Sequence, residues 1–102
     1  MDFIFIYITN PTEKEAKNIA SLLLKKRVIA CANIFPIESL YWWKSKIINE
    51  KEFVIIAKTE KNKFEEIKKE VEKIHSYKIP CIVKIPVSSN KKYYNWLKKE
   101  IK

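Results

Sequence analysis

The chain contains no glycine among its 102 residues. Glycine adopts positive φ angles at no steric cost, and the phosphate-binding loops of nucleotide-binding proteins depend on it. Its absence therefore excludes P-loops, dinucleotide-binding fingerprints and glycine-lined oxyanion turns. Turns must instead be built from asparagine, serine and proline, as at Asn10-Pro11, Asn49 and Ser88-Ser89.

Cysteine and long apolar runs are also scarce. Two cysteines are too few for the disulfide framework of a secreted protein. No segment approaches the ~18 apolar residues of a membrane span, and the first segment carries Asp2 in place of the basic region of a signal peptide. We therefore expect one domain over residues 1–102, a cytoplasmic location and no membrane partner.

The charge is strongly positive, at +9 for the whole chain. Such a balance is compatible with nucleic-acid binding. However, the lysines are spread along the sequence and mixed with glutamates, which is typical of a solvated surface. We expect no specific nucleic-acid partner.

The apolar pattern predicts four strands and three helices. The strands are expected at 2–9, 28–35, 52–60 and 81–87. Thr12 and Glu15 form a capping box before the first helix, Asn62 and Glu65 form one before the second, and a short helix closes the chain over 90–101. Pro36 is expected to interrupt the second strand, with the turn to the third strand at Asn49–Lys51.

This order predicts an α+β protein with a ferredoxin-like βαββαβ antiparallel sheet, helices on one face and a short C-terminal helix. The first and third strands are apolar on both faces, so the helix-free face would be a large apolar patch on a monomer. The three successive aromatics Tyr41–Trp43 raise the same difficulty, because adjacent strand residues point to opposite faces. We expect one face of that segment to pack inside and the other across a subunit boundary.

Several segments in order resemble the CutA family of divalent-cation-tolerance proteins. They read TNPTEKEAKNIASLLLKKRVIACANI, SLYWWKSK, EFVIIAKT, HSYKIPCIVKIPV and YYNWL, and the ordered match runs from Ile4 to Leu97. The resemblance implies a ferredoxin-like protomer, a tight homotrimer as the main partner interaction, and a role in the tolerance of copper and other divalent cations. It implies binding of a metal or a small anionic ligand at clefts between subunits, without an obligatory cofactor.

The chain differs from other members of that family at four positions. Ile8 stands where some members have cysteine, Ile74 where some have a second histidine, Cys81 where most have glutamate, and Ser45 where glycine is usual. Of the copper-binding positions, the resemblance therefore carries over only His75.

Five residues are candidates for a ligand cleft between subunits. These residues are Tyr41, Trp43, Lys58, His75 and Tyr77. A lysine on an otherwise apolar strand needs solvent or an anionic partner, which suggests an anionic small ligand. A structural lysine at a sheet edge is the alternative for Lys58.

His75, Cys81 and Cys31 are the candidate metal ligands, with a divalent metal such as copper as the ion. The second and fourth strands lie on opposite edges of a ferredoxin-like sheet, about 14 Å apart, so Cys31 and Cys81 can meet only across subunits. A helix-end cap is the alternative role for His75, and a buried apolar thiol is that for Cys31.

No catalytic constellation is readable in the sequence, and we do not expect an enzyme. An alternative function is an RNA-binding ferredoxin-like module, which stacks bases on exposed sheet aromatics. The chain lacks the glycine-containing aromatic stretch of such modules, so the alternative is the weaker hypothesis.

Overall fold

The computed structural model describes all 102 residues as a four-stranded antiparallel sheet with three helices. The elements are β1 Asp2–Asn10, α1 Glu13–Lys25, β2 Cys31–Trp43, β3 Lys46–Thr59, α2 Phe64–Ile74, β4 Ile82–Ser88 and α3 Lys91–Glu100. The strand order is β2-β3-β1-β4. The predicted α+β ferredoxin-like fold is confirmed. None of the helices is long and apolar enough to cross a membrane.

The core lies between one sheet face and the helices α1 and α2. Alternate residues of β1 point to this face, and Ile4, Ile6 and Ile8 are buried there. The Thr12 side chain caps α1 by accepting the Glu15 backbone N–H at 3.1 Å, as the capping box predicts. The predicted Asn62 cap is wrong, because Asn62 lies in a short 3-10 turn over Lys61–Lys63 and α2 begins without a side-chain cap.

The helix α3 crosses to the opposite face of the sheet and covers one end of it. Leu97 and Ile101 pack there against Phe3. The middle of this face stays open, with Phe35, Val83 and Ile85 exposed by 39–45%. The opposite face is therefore only partly covered within one chain.

The hairpin of β2 and β3 is longer than the sequence predicts. Its turn is Lys44-Ser45, and the predicted turn at Asn49–Lys51 is wrong because these residues continue the β3 ladder opposite β2. Pro36 does not interrupt β2, since β2 is an edge strand and tolerates a residue without an N–H. The pairing of β1 with β3 ends at Phe53, so residues 37–52 form a hairpin arm that pairs only with itself.

Both faces of the hairpin arm carry large apolar side chains, yet no core of its own chain covers them. On one face Leu40, Trp42 and Ile47 are exposed by 65–71%. On the other face Tyr41 and Trp43 are exposed by 37% and 40%. The expectation that one face of the Tyr41–Trp43 segment packs inside the protomer is therefore wrong, because β1 does not extend far enough to place a core beneath it.

The hairpin turn generates a prediction about stability. Lys44 and Ser45 have φ angles of 50° and 64°, and this left-handed region costs roughly 1–2 kcal/mol for a residue with a Cβ. We expect Ser45→Gly to raise the free energy of unfolding by about 0.5–1 kcal/mol, after the larger entropy loss of glycine is subtracted. Ser21→Gly, in the exposed interior of α1, is the control and should lower it by about 0.5 kcal/mol. Chemical denaturation measures both, and equal effects of the two variants would contradict the assignment of strain to the turn.

Candidate functional site

A groove of about 1070 Å³ lies between the hairpin arm and the loop that follows α2. Its aromatic and ionisable lining includes Tyr41, Trp43, Glu50, Glu52, Tyr77 and Cys81. The first four residues come from the arm, and the last two come from the loop over residues 75–81. The groove therefore exists because the arm extends past β1 and the loop folds back beside it.

Two carboxylates stand side by side in the groove. Glu50 and Glu52 lie at alternate positions of β3 and therefore point to the same face. The Tyr41 hydroxyl donates to Oε1 of Glu50, and the Tyr77 hydroxyl donates to Oε2 of Glu52 at 2.6 Å. Neither carboxylate forms an ion pair, although Glu52 is only 6% exposed. The groove thus carries negative charge that no basic side chain of the protomer neutralises.

These carboxylates change the ionisation of the groups around them. The hydrogen bond to Glu50 raises the pKa of Tyr41 to about 12. Burial, followed by the hydrogen bond to Glu52, holds the pKa of Tyr77 far above its usual value. Burial and the charge of Glu52 also raise the pKa of the Cys81 thiol. Both tyrosines therefore remain hydrogen-bond donors at neutral pH, and Cys81 is a thiol rather than a thiolate.

His75 lies behind the groove, with its side chain fully buried. Its Nε2 is 2.7 Å from the Thr9 carbonyl oxygen, and its Nδ1 accepts the Tyr77 backbone N–H at 3.0 Å. These partners assign a proton to Nε2 and a lone pair to Nδ1. The imidazole follows the last residue of α2, as the helix-end alternative predicts, and it fixes the loop that carries Tyr77.

The same loop is attached to α1 by a second set of hydrogen bonds. The Glu15 Oε2 atom accepts the Ser76 backbone N–H at 3.2 Å and the Ser76 hydroxyl at 3.0 Å. It also lies 3.6 Å from Nδ1 of His75. The position of Tyr77 against Glu52 is therefore set by contacts to both β1 and α1.

Three of the five predicted cleft residues line the groove, namely Tyr41, Trp43 and Tyr77. His75 contacts Tyr77 from behind, with the ring centroids 4.8 Å apart. Lys58 lies six residues from Glu52 along β3, which is about 20 Å, so one protomer does not bring it to the groove. The groove presents carboxylates where the anionic-ligand hypothesis requires a lysine.

Lys58 and Cys31 instead sit together at the other end of the helix-free face. They are cross-strand partners, and the Lys58 ammonium lies 5.7 Å and 5.6 Å from the ring centroids of Phe5 and Tyr93. Cys31 is half-buried on β2, whereas Cys81 is exposed just before β4 on the opposite edge of the sheet. The predicted separation of the two cysteines within a protomer is confirmed.

The candidate metal ligands do not converge within one protomer. Both ring nitrogens of His75 are engaged by backbone groups, and Cys31 is on the far edge of the sheet. No three His, Cys, Asp or Glu side chains of the chain lie close enough together to hold an ion. A divalent metal therefore does not fit a single protomer as a resident cofactor, because too few donors surround any one point.

Glu50 and Glu52 were not among the site residues predicted from the sequence. The signal is the spacing of two glutamates at every second residue of the segment INEKEFV (48–54), which places two carboxylates on one face of a strand. The predicted turn at Asn49–Lys51 hid this pattern, since residues in a turn have no common face.

The architecture defines the class of protein. Its ferredoxin-like sheet carries a long hairpin with exposed apolar side chains, and an acidic groove lies beside that hairpin. The family model for the CutA1 divalent ion tolerance protein matches residues 4–100. The chain belongs to this family, as the resemblance in the sequence implies.

Individual relatives agree with this assignment. The Divalent-cation tolerance protein CutA of Archaeoglobus fulgidus is 48% identical over 94 residues, which cover 91% of this chain and 92% of that one. A solved structure of CutA from that organism, described as periplasmic, superimposes with a TM-score of 0.95 at 45% identity and full coverage of both chains. The chloroplastic protein CutA 1 of Oryza sativa is 34% identical over 97 residues, which cover 93% of this chain and 55% of that one.

The contact between Tyr77 and Glu52 generates a prediction about stability. Tyr77→Phe removes the one hydrogen bond that the buried Glu52 side chain receives. We expect the free energy of unfolding to fall by about 1.5 kcal/mol, the effect of losing a hydrogen bond to a charged group. Tyr41→Phe is the matched control and should cost less, because Tyr41 is more exposed. A larger loss in Tyr41→Phe than in Tyr77→Phe, measured by urea denaturation at pH 7, would contradict this account.

Proposed function

We propose that this protein acts in divalent-cation tolerance, with copper among its cations, as a homotrimer that binds the cation weakly at clefts between subunits. The observation that carries the proposal is the pair of carboxylates, Glu50 and Glu52, which no basic side chain neutralises. Oxygen donors attract divalent cations, and Cu²⁺ binds a given donor set more tightly than the other first-row divalent ions. Since one protomer supplies too few donors, the remaining ligands would come from a second subunit.

The homotrimer is supported by the exposed apolar surface of the protomer. Both faces of the hairpin arm and the middle of the helix-free sheet face have no cover in one chain. Exposed patches of this kind usually mark protein–protein contacts. Because residues 37–43 of the arm line the groove, a subunit that covers the arm would also border the groove.

The RNA-binding alternative loses support from the position of α3. Base-stacking modules need free aromatic side chains on the central strands. Here Phe3 is 2% exposed, and Tyr93 and Tyr94 of α3 lie against it. The end of the sheet that carries Phe3 and Phe5 is therefore not available as a stacking platform.

We propose a cytoplasmic location and a non-enzymatic role. Both cysteines are free thiols, which suits a reducing compartment. The raised pKa values of Tyr41, Tyr77 and Cys81 keep these three groups protonated, so the groove holds no activated nucleophile. These features favour binding over catalysis.

The homotrimer leads to a prediction about mass in solution. Analytical ultracentrifugation should give about three times the protomer mass of 12.2 kDa. Trp42→Glu should shift the protein towards the monomer, because assembly would bury an unpaired charge on the arm. Trp96→Glu, on α3, is the matched control and should remain trimeric. A monomeric wild type, or a trimeric Trp42→Glu, would refute the proposed interface.

Cation binding leads to a prediction that calorimetry can test. We expect Cu²⁺ to bind the wild type weakly and Glu52→Gln at least about tenfold more weakly, because one charged ligand is lost. Glu72→Gln, which removes an exposed carboxylate of α2 outside the groove, should bind as the wild type does. The variants His75→Ala and Cys81→Ser test the ligands predicted from the sequence. Unchanged Cu²⁺ binding in Glu52→Gln would remove the carboxylate pair from the proposal.

A further inference from the structure

The Glu52 side chain is an unneutralised anion in an almost fully buried position. It is 6% exposed, and only its Oε2 atom receives a hydrogen bond, from Tyr77. No protein donor contacts Oε1, yet this atom is not sealed from solvent, and the side chain lines the groove. Carboxylates are rarely buried without a partner. The free oxygen of Glu52 therefore faces the groove with its negative charge unmatched.

The rings beside this carboxylate also lack a cation. Lysines lie over the rings of Phe5, Phe64, Tyr93 and Tyr94 elsewhere in the protein. No lysine or arginine lies over the groove aromatics Tyr41, Trp43 and Tyr77, although the chain has 21 basic residues. An aromatic face within ~6 Å of a cation stabilises it, and more so when the cation is desolvated. Two independent features of the groove thus favour a positive ligand.

The walls of the groove decide which kind of cation fits best. Ile37, Ile48 and Ile79 line it together with the aromatic rings. A hydrated metal ion gains nothing from apolar walls, and the protomer offers no three-donor cluster. An alkylammonium ion gains from both, because its charged end pairs with a carboxylate and its methylene groups contact apolar side chains.

The spacing of the two carboxylates indicates more than one positive charge. Glu50 and Glu52 lie on one face of β3 with their Cα atoms about 7 Å apart. A short linear diamine carries two ammonium groups at a comparable separation, joined by an apolar chain. We propose that the groove binds short aliphatic di- and polyamines, with one ammonium group on each carboxylate. This inference rests on the groove of one protomer and does not require divalent-cation binding.

Lys78 is the one basic residue that lines the groove. Its ammonium group forms no ion pair with either carboxylate, and the residue is exposed at the rim. Its charge opposes the entry of a cationic ligand. Lys78→Met keeps most of the side-chain stem and removes the charge, so it should strengthen diamine binding.

Calorimetry with putrescine on the full chain, in metal-free buffer containing EDTA, tests the proposal. We expect saturable binding to the wild type, and n-butylamine should bind at least about tenfold more weakly because it leaves one carboxylate unpaired. Glu52→Gln and Glu50→Gln should each lose at least about tenfold in affinity. Glu72→Gln, which removes an exposed carboxylate of α2 outside the groove, should retain the wild-type affinity, and Lys78→Met should gain affinity.

Ultracentrifugation of each variant separates a lost ligand contact from a lost assembly. If Glu52→Gln does not fold, Glu50→Gln provides the same comparison at a less buried position. The proposal is overturned if the wild type shows no putrescine binding, if butylamine binds equally well, or if both glutamine variants keep the wild-type affinity. Because EDTA removes divalent metals, putrescine binding without Cu²⁺ binding would refute the proposed cation role and leave this inference standing.

Discussion

The difference in length between β3 and β1 is the constraint on which the other features depend. β3 pairs with β2 over its full length, but its ladder with β1 begins only at Phe53. The first half of β3 therefore leaves the sheet and carries the end of β2 with it. Because β1 is shorter, residues 37–52 extend beyond it as the hairpin arm, and no core lies beneath them. The groove forms alongside this arm.

The groove is acidic, whereas the chain as a whole is strongly basic. The net charge is +9, yet the two carboxylates of the groove are held by tyrosine hydroxyls and not by lysines. Other glutamates, such as Glu70 and Glu100, form ion pairs with basic side chains on the surface. The positive charge is thus distributed outside the groove, and a local negative site persists within a basic protein.

The sequence was sufficient for the fold because its signals were local. The capping residue Thr12, the apolar run of β1 and the stripe of α1 each predict one element correctly. The site was predicted only in part, since Tyr41, Trp43 and Tyr77 were identified as candidate cleft residues. Glu50 and Glu52 were missed because their common face depends on where the hairpin turns. The turn at Lys44-Ser45 contains no glycine that would identify it in the sequence, whereas Asn49 is a residue type that is common in turns.

The fate of a newly made chain follows from the hairpin arm. An isolated chain folds its sheet and helices around its own core, but Leu40, Trp42 and Ile47 remain in water until another surface covers them. A second subunit that covers these side chains, as in the proposed homotrimer, would stabilise the arm by mass action. Without such cover the arm exposes apolar side chains that favour aggregation. The edge strand β2 is then open to pairing with another chain, except at Pro36, which has no N–H. Dilution would therefore expose the arm, whereas the core beneath α1 and α2 is closed within one chain.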